Sequence, residues 1–240
     1  MSRSFGGVAG TYEEGRPEYP LDAVAWLLAP APGAPPRVAD VGAGTGKLTR
    51  AVAATGAEVV AVDPDAAMLA ELATRTPGVP AFLGTGERMP LPDASVDAVV
   101  FGQAWHWVDP EVASAEVARV LRPGGVLGLI WNVRDERSAW VRRLTSIMHS
   151  SAAEELIASG GPRVAEPLGA FETRTQEWTR SLTRDAFVAL VASRSYVITA
   201  PENTRTRILG EVVDLFDEWA AGAPVIELPY RTESFRSIRP

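Results

Sequence analysis

The stretch Val38-Ala39-Asp40-Val41-Gly42-Ala43-Gly44-Thr45-Gly46-Lys47-Leu48-Thr49 decides how the rest of the chain is read. A short apolar run, residues 38–41, hands over through three alternating glycines to a helical spacing at residues 47–54. Glycines at 42, 44 and 46 let the backbone turn tightly and let a ligand approach without meeting a Cβ atom. In an open α/β sheet, ligands sit outside the carboxyl ends of the strands, at such handover points. The loop therefore predicts a nucleotide-like site. A P-loop would need Gly where Val41 stands and a hydroxyl where Leu48 stands. A dinucleotide fingerprint, G-x-G-x-x-G, would need Gly in place of Lys47; the chain instead has an acid, Asp40, followed by G-x-G-x-G.

Outward from this loop the rhythm is regular. Residues 59–62, 79–83, 96–101 and 126–131 are short apolar runs, and residues 65–75 and 110–121 between them carry helical spacing. Strands alternating with helices mean βαβ units, hence a mostly parallel sheet with right-handed crossovers. Arg122-Pro123-Gly124-Gly125 reads as the turn into the last of these strands. The rhythm then breaks. Residues 135–158 read as one longer helical stretch, 171–182 as an alternating strand, 184–194 and 202–220 as helices, and 224–230 as a terminal strand. Helices in that order cannot all be crossovers, so some of them form a small cap over one end of the sheet. Ahead of the first strand lie a short helix at residues 22–28 and a Pro-rich stop.

Four further landmarks follow the glycine loop in order. Val59-Val60-Ala61-Val62-Asp63 is a buried strand ending in an acid, and a carboxylate placed there can accept both hydroxyl protons of a ribose. Leu83-Gly84-Thr85-Gly86-Glu87 follows the third strand. Ser95-Val96-Asp97-Ala98-Val99-Val100 leads into Phe101-Gly102-Gln103-Ala104-Trp105-His106-Trp107, and Val120-Leu121-Arg122-Pro123-Gly124-Gly125-Val126-Leu127 precedes the fifth strand. Over residues 38–131 this series resembles the class I S-adenosylmethionine-dependent methyltransferases, in particular the type 11, small-molecule branch.

That resemblance implies an α/β, Rossmann-like fold: seven strands, mostly parallel with the last antiparallel, helices on both faces and a small helical cap. It implies one domain over residues 1–240. Residues 1–36 would be an N-terminal lid and first helix, 37–133 the cofactor-binding core, 134–222 the helical cap and sixth strand, and 223–240 the terminal strand and tail. S-adenosylmethionine is the implied cofactor and S-adenosylhomocysteine its product. Asp40, Gly42, Gly44 and Gly46 would cradle its methionine part, Asp63 its ribose, and Thr85, Gly86 and Glu87 its adenine, although the family often has an acid at the Thr85 position. Gln103, on the loop leaving the fourth strand, would be a further cofactor contact. Tyr12, with Arg16-Pro17-Glu18-Tyr19-Pro20, resembles a lid over the cofactor.

Composition narrows the partners. With 46% hydrophobic and 22% charged residues and a formal net charge of −7, the chain has an ordinary globular balance and no general affinity for nucleic acid or membrane surfaces. It contains no cysteine and two histidines, so disulfides, thiolate chemistry and a metal site are not expected. No apolar run approaches the ~20 residues of a membrane span, and a cytoplasmic protein is the expectation. Oligomeric state is not legible.

Methyl transfer from a sulfonium needs alignment, exclusion of water and, for some acceptors, removal of a proton. His106 is the candidate general base. Trp105, Trp107 and Trp131 stand near strand ends, where a small, partly apolar acceptor could stack, and Arg16 is the candidate for an acceptor charge. Arg134 and Arg194, like Arg16, could hold an acceptor carboxylate, but in so arginine-rich a chain they read first as solvated surface charges, and His149 reads as a packed or solvent-edge residue. Two alternatives stay open at this point. One is an NAD(P)-dependent oxidoreductase on a similar fold, disfavoured by the glycine spacing; the other is a domain that binds the cofactor without transferring methyl.

Overall fold

A computed structural model describes residues 16–240, the side chains of residues 195 and 196 apart. Tyr12 lies outside the described residues. Helix α1 (Leu21–Leu28) precedes strand β1 (Arg37–Val41), helix α2 (Lys47–Ala53), β2 (Glu58–Asp63), α3 (Ala66–Arg75) and the short β3 (Ala81–Leu83). Then come β4 (Val96–Gly102), a single 3₁₀ turn (Trp105–Trp107), α4 (Pro110–Val120) and β5 (Leu121–Arg134). The second half holds α5 (Ala139–Met148), α6 (Ala152–Ala158), β6 (Glu172–Thr183), α7 (Arg184–Ala192), α8 (Ser195–Ile198), α9 (Glu202–Ala220) and β7 (Val225–Ile238).

Among the described residues one seven-stranded sheet runs in the order β3-β2-β1-β4-β5-β7-β6. β1 pairs in parallel with β2 on one side and β4 on the other, so consecutive crossovers leave β1 in opposite directions. The crevice between β1 and β4 is the switch point at which such sheets bind ligands. β7 is antiparallel to both β5 and β6.

Local chemistry starts the helices. The Asp65 carboxylate accepts from Ala67 N at 2.8 Å and caps α3; Asp109 accepts from Glu111 N at 2.9 Å and caps α4, with Pro110 in the first turn. Packing then divides the apolar residues. Val38, Val100 and Ile130 face α1 and α2, whereas Val99, Leu127, Leu129 and Trp131 face α4 and α6. The central strands are thus buried on both faces, as a parallel sheet requires. A separate cluster, including Trp140, Leu144, Phe187, Val212 and Phe216 with Leu228 and Tyr230, joins α5, α7 and α9 to the far ends of β6 and β7 and forms the cap. Among the described residues no helix is long and apolar enough to cross a membrane.

Several expectations change. The helical stretch at 135–158 is two helices, because His149 takes φ 57° and turns the chain between them; its side chain is exposed. Arg122 to Gly125 lie inside β5, held because the Asp97 carboxylate accepts from Arg37 N at 2.8 Å and from Arg122 at 2.7 Å. The last strand runs on to Ile238 instead of ending at Tyr230. It lies between β5 and β6, so ladder bonds on both sides hold it where Thr232, Glu233, Ser234 and Ser237 are buried and no apolar alternation marks a strand.

Trp131 is a second correction. It is fully buried, with its ring edge-on to Phe235 at 5.7 Å, and belongs to the sheet core and not to an acceptor pocket. Trp105 is likewise buried, donating from Nε1 to the Arg163 carbonyl at 2.9 Å and packing edge-on to Phe101 at 4.9 Å. Its indole props up the loop that carries His106. Trp131→Ala should therefore cost about 3–5 kcal/mol of stability, read as a lowered thermal midpoint. An effect confined to acceptor KM would put Trp131 back in the pocket.

Candidate functional site

Each glycine of the loop has its own task. The N–H groups of Gly42 and Ala43 both donate to the Val62 carbonyl, at 2.8 and 3.2 Å, and Gly44 N–H donates to Asp63 Oδ2 at 2.8 Å. The loop is thereby fastened to the end of β2. Gly42 has φ +68°, and a Cβ there would stand 2.6 Å from that of Ala104 on the loop leaving β4. Only a bare backbone lets the two loops approach so closely. Gly44, at φ +55°, meets nothing within 4 Å and faces open space. Gly46 has φ +89° and forms the N-cap of α2.

Beyond these loops lies a cavity of about 440 Å³. It is lined by Gly42, Gly44, Asp63, Thr85, Gly86, Glu87, Gln103, His106, Trp107 and Arg16, so ten of the residues singled out from the sequence meet in one place. Asp40, Gly46, Trp105 and Trp131 do not line it. Asp40 is turned beneath the loop, fully buried, and accepts from Thr49 Oγ1 at 2.6 Å, while its Oδ1 has no partner. It shapes the loop from below, and Gly46 starts the helix; neither borders the space where a ligand would sit.

The N-terminal segment is held over this edge from several sides. The Glu18 carboxylate meets Lys47 at 2.9 Å and Arg50 at 3.2 Å, and the Glu18 carbonyl accepts from Asn132 Nδ2 at 3.1 Å. Asn132 in turn accepts from Thr232 Oγ1 at 2.7 Å and, through its carbonyl, from Gln103 Nε2 at 2.8 Å. Gln103 itself has φ 56°, an unusual conformation for a side-chain-bearing residue, and its N–H donates to the Ile130 carbonyl at 3.0 Å. These bonds hold that turn at the carboxyl end of β4.

Burial reshapes the charges. It raises the Asp40 pKa to about 7, against the lowering effect of the Thr49 hydroxyl. Asp63 is also raised by burial, opposed by the N–H groups of Asp65 and Gly44 that its two oxygens accept. Burial, aided by the nearby Arg16 charge, lowers His106 to about 4, which keeps its imidazole neutral at ordinary pH. Its Nδ1 is sealed from solvent without a partner, leaving Nε2 as the nitrogen open to a ligand.

Residues that pattern reading missed complete the wall. Met68, Ser150 and Ser151 also border the cavity, and so does Arg194, one of the three arginines that the sequence offers for an acceptor carboxylate. Arg194 is half-buried, its Nε sealed from solvent; loss of water around it, and then the like charges of Arg134 and Arg16, lower its pKa to about 10. Arg134 is buried and pairs with Glu154 at 3.0 Å. Nothing in the local sequence distinguishes these two arginines from the exposed ones; only the folding of α6 and α7 against β5 and β7 does so.

Comparison with known proteins bears on this geometry. A family model described as a methyltransferase domain, of the type 11 kind, matches residues 39–129. An uncharacterized methyltransferase of Mycobacterium tuberculosis is 49% identical over 245 residues, covering 99% of this chain and 96% of that protein. An uncharacterized methyltransferase-like protein of Schizosaccharomyces pombe is 31% identical, covering 98% and 95%. The solved structure of a protein assigned as a type II methyltransferase, from Anaeromyxobacter dehalogenans, superposes with a TM-score of 0.72 at 29% identity over 93% of this chain and 97% of that one.

The buried Asp40 makes a testable prediction about pH. A carboxyl whose folded pKa is raised binds its proton more tightly folded than unfolded, so its contribution to stability declines as pH rises from ~4 to ~7. Asp40→Asn should gain stability relative to the parent across that window and level off above it. At about 1.4 kcal/mol per pH unit the total is of order 4 kcal/mol. Urea denaturation at several pH values checks it, and a pH-independent difference would contradict it.

Proposed function

The chain belongs to the class I S-adenosylmethionine-dependent methyltransferases, in their type 11 branch, and from that premise we propose that it methylates an oxygen, nitrogen or carbon atom of a small, partly apolar molecule. The observation that carries this proposal is the convergence of the bare glycine loop, the Asp63 carboxylate and the neutral His106 on one cavity at the switch point. No feature of that cavity favours the oxidoreductase alternative.

When bound, S-adenosylmethionine supplies a methyl group on a positively charged sulfur that departs as a neutral thioether. The residues here fit such a group. Gly42 and Gly44 leave room for backbone approach, and the Asp63 oxygens keep lone pairs beyond those used by Gly44 and Asp65, available to ribose hydroxyls. Thr85, Gly86 and Glu87 would border the adenine; a Cβ on Gly86 would press within 2.8 Å of Val108, so that wall is already closely packed. Asp40 and Gly46 would act indirectly, by shaping the loop.

On the acceptor side, Trp107, 62% exposed at the cavity rim, offers an apolar face. His106 Nε2 would take the acceptor's proton, with the ring's own proton on Nδ1. A base with so low a pKa is weak but always available, because protonated imidazole is scarce above pH ~5. Displacement then needs the acceptor lone pair in line with the departing sulfur, and holding both partners in one cavity would supply that alignment.

Two measurements test this. Asp63→Ala should weaken S-adenosylhomocysteine binding by about 10- to 100-fold in calorimetric titration, the loss expected for hydrogen bonds to a charged group. Affinity within about twofold of the parent would refute the ribose assignment. His106→Ala should lower kcat by roughly 100-fold while leaving cofactor affinity nearly unchanged. The parent's kcat should stay level from pH ~6 upward and decline only toward pH ~4, since His106 must be neutral to work. A limb near pH ~6.5 would mean that another group is the base.

A further inference from the structure

The two edges of the sheet differ. At one end β3 pairs over three residues, Ala81–Leu83, too short a row to template another strand. At the other end β6 runs for 12 residues, Glu172–Thr183, and pairs with β7 on one side without a register shift. Among the described residues no strand pairs with its outer side. Every second residue of β6 therefore turns its N–H and C=O away from β7. Such an edge is normally interrupted by proline, a bulge or a covering segment, and β6 has neither proline nor bulge. Charges of one sign would repel a second copy, but β6 carries both: Glu172, Arg174, Glu177 and Arg180.

Trp178 gives the outer side a prepared surface. It is the register partner of Tyr230, and the two rings stack at 4.9 Å with 17° between their planes. That separation is close to the ~4.8 Å between neighbouring strands, so the stack runs across the sheet and the far face of the indole looks toward the open edge. Nε1 donates to Thr232 Oγ1 at 2.9 Å, which fixes the ring. Arg174, on the same face of β6, is exposed and makes no hydrogen bond or ion pair among the described residues.

We propose that β6 pairs antiparallel with β6 of a second copy about a two-fold axis at Gln176, joining two sheets edge to edge. In that register Arg174 lies opposite Trp178 of the second copy, where a guanidinium rests on the open indole face, and Glu172 lies opposite Arg180. Thr173 meets Thr179, Thr175 meets Glu177, and Gln176 faces its own counterpart, all of them pairs able to hydrogen-bond. The two-fold makes each unlike pair twice. The Glu172 carboxylate is 61% exposed and pairs with Arg236 at 2.6 Å; its remaining lone pairs suffice for a second guanidinium. An axis at Glu177 would set Glu177 against itself and Arg174 against Arg180. An axis at Thr175 would leave Glu172 opposite Trp178 and Arg174 opposite Gln176, with no ion pair. Charge favours the axis at Gln176.

The test joins sedimentation equilibrium to site-directed cross-linking. The parent should be dimeric at about 50 µM. The chain has no cysteine, so one introduced thiol reports one distance. Gln176→Cys brings two thiols face to face with Cα atoms ~4.5–5.5 Å apart, inside the range of a disulfide, and mild air oxidation should link the copies covalently. Thr173→Cys, whose counterpart would lie ~20 Å away, should not link. Arg180→Glu should raise the dimer dissociation constant about tenfold and Arg174→Glu about fivefold, and adding Glu172→Arg to Arg180→Glu should restore it to within about threefold of the parent. Monomers alone at that concentration, linking at position 173 equal to that at 176, a dimer indifferent to Arg180→Glu, or a charge swap no better than Arg180→Glu by itself would each overturn the proposal. Should Arg180→Glu fail to fold, the two cysteine variants still decide it.

Discussion

The bond from Gly44 N–H to Asp63 Oδ2, 2.8 Å long, joins the two features on which the site depends. It fastens the flexible glycine loop after β1 to the rigid end of β2, and it turns the carboxylate so that the same group borders the cavity. The bond forms only because β1 and β2 run parallel and in register, with Val41 beside Val62. That pairing needs helices on both faces of the sheet, hence α1 and α2 on one side and α4 and α6 on the other. Backbone hydrogen bonds and burial thus set the loop's position, and the loop sets where a ligand can lie.

Around that point burial acts on charge. Asp40 beneath the loop, His106 on the β4 turn and Arg194 beyond it are all shifted toward neutrality, because removing a charge from water is unfavourable whatever its sign. The consequences differ with position. For Asp40 the cost falls on the fold; for His106 it keeps an imidazole in its basic form; for Arg194 it loosens the hold of the guanidinium on its proton. One physical effect therefore acts on an acid beneath the loop, an imidazole on the cavity wall and a guanidinium beside it, with consequences set by what each side chain faces.

The N-terminal segment shows how few contacts can position an edge of the cavity. Glu18 reaches α2 through Lys47 and Arg50 and reaches β5 through Asn132, while Tyr19 packs so near β4 that a Cβ on Gly102 would lie 2.7 Å from its hydroxyl. Arg16 is carried to the cavity by these bonds. The same Asn132 accepts from Gln103 and from Thr232, so the N-terminal segment, the β4 turn and the last strand share one polar junction.

Much of this is legible in the chain. The alternation of apolar runs and helical spacings over residues 38–131 determines the parallel half of the sheet, because buried strands must be apolar and their crossovers amphipathic. The spacing of Gly42, Gly44 and Gly46, with Asp63 at the next strand end, likewise determines where the ligand site lies, since loop conformation and strand polarity are local properties. Residues whose environment is made by distant segments were out of reach. Trp131 and Trp105 look like pocket aromatics until Phe235 and Arg163 are seen to enclose them, and Arg194 looks like surface charge until α6, β5 and β7 close around it. The polar end of β7 is a strand only because β5 and β6 flank it. Periodicity reports which side of its own element a residue occupies; burial, and with it charge state and access to the cavity, depends on which other elements arrive there, and only the tertiary structure decides that.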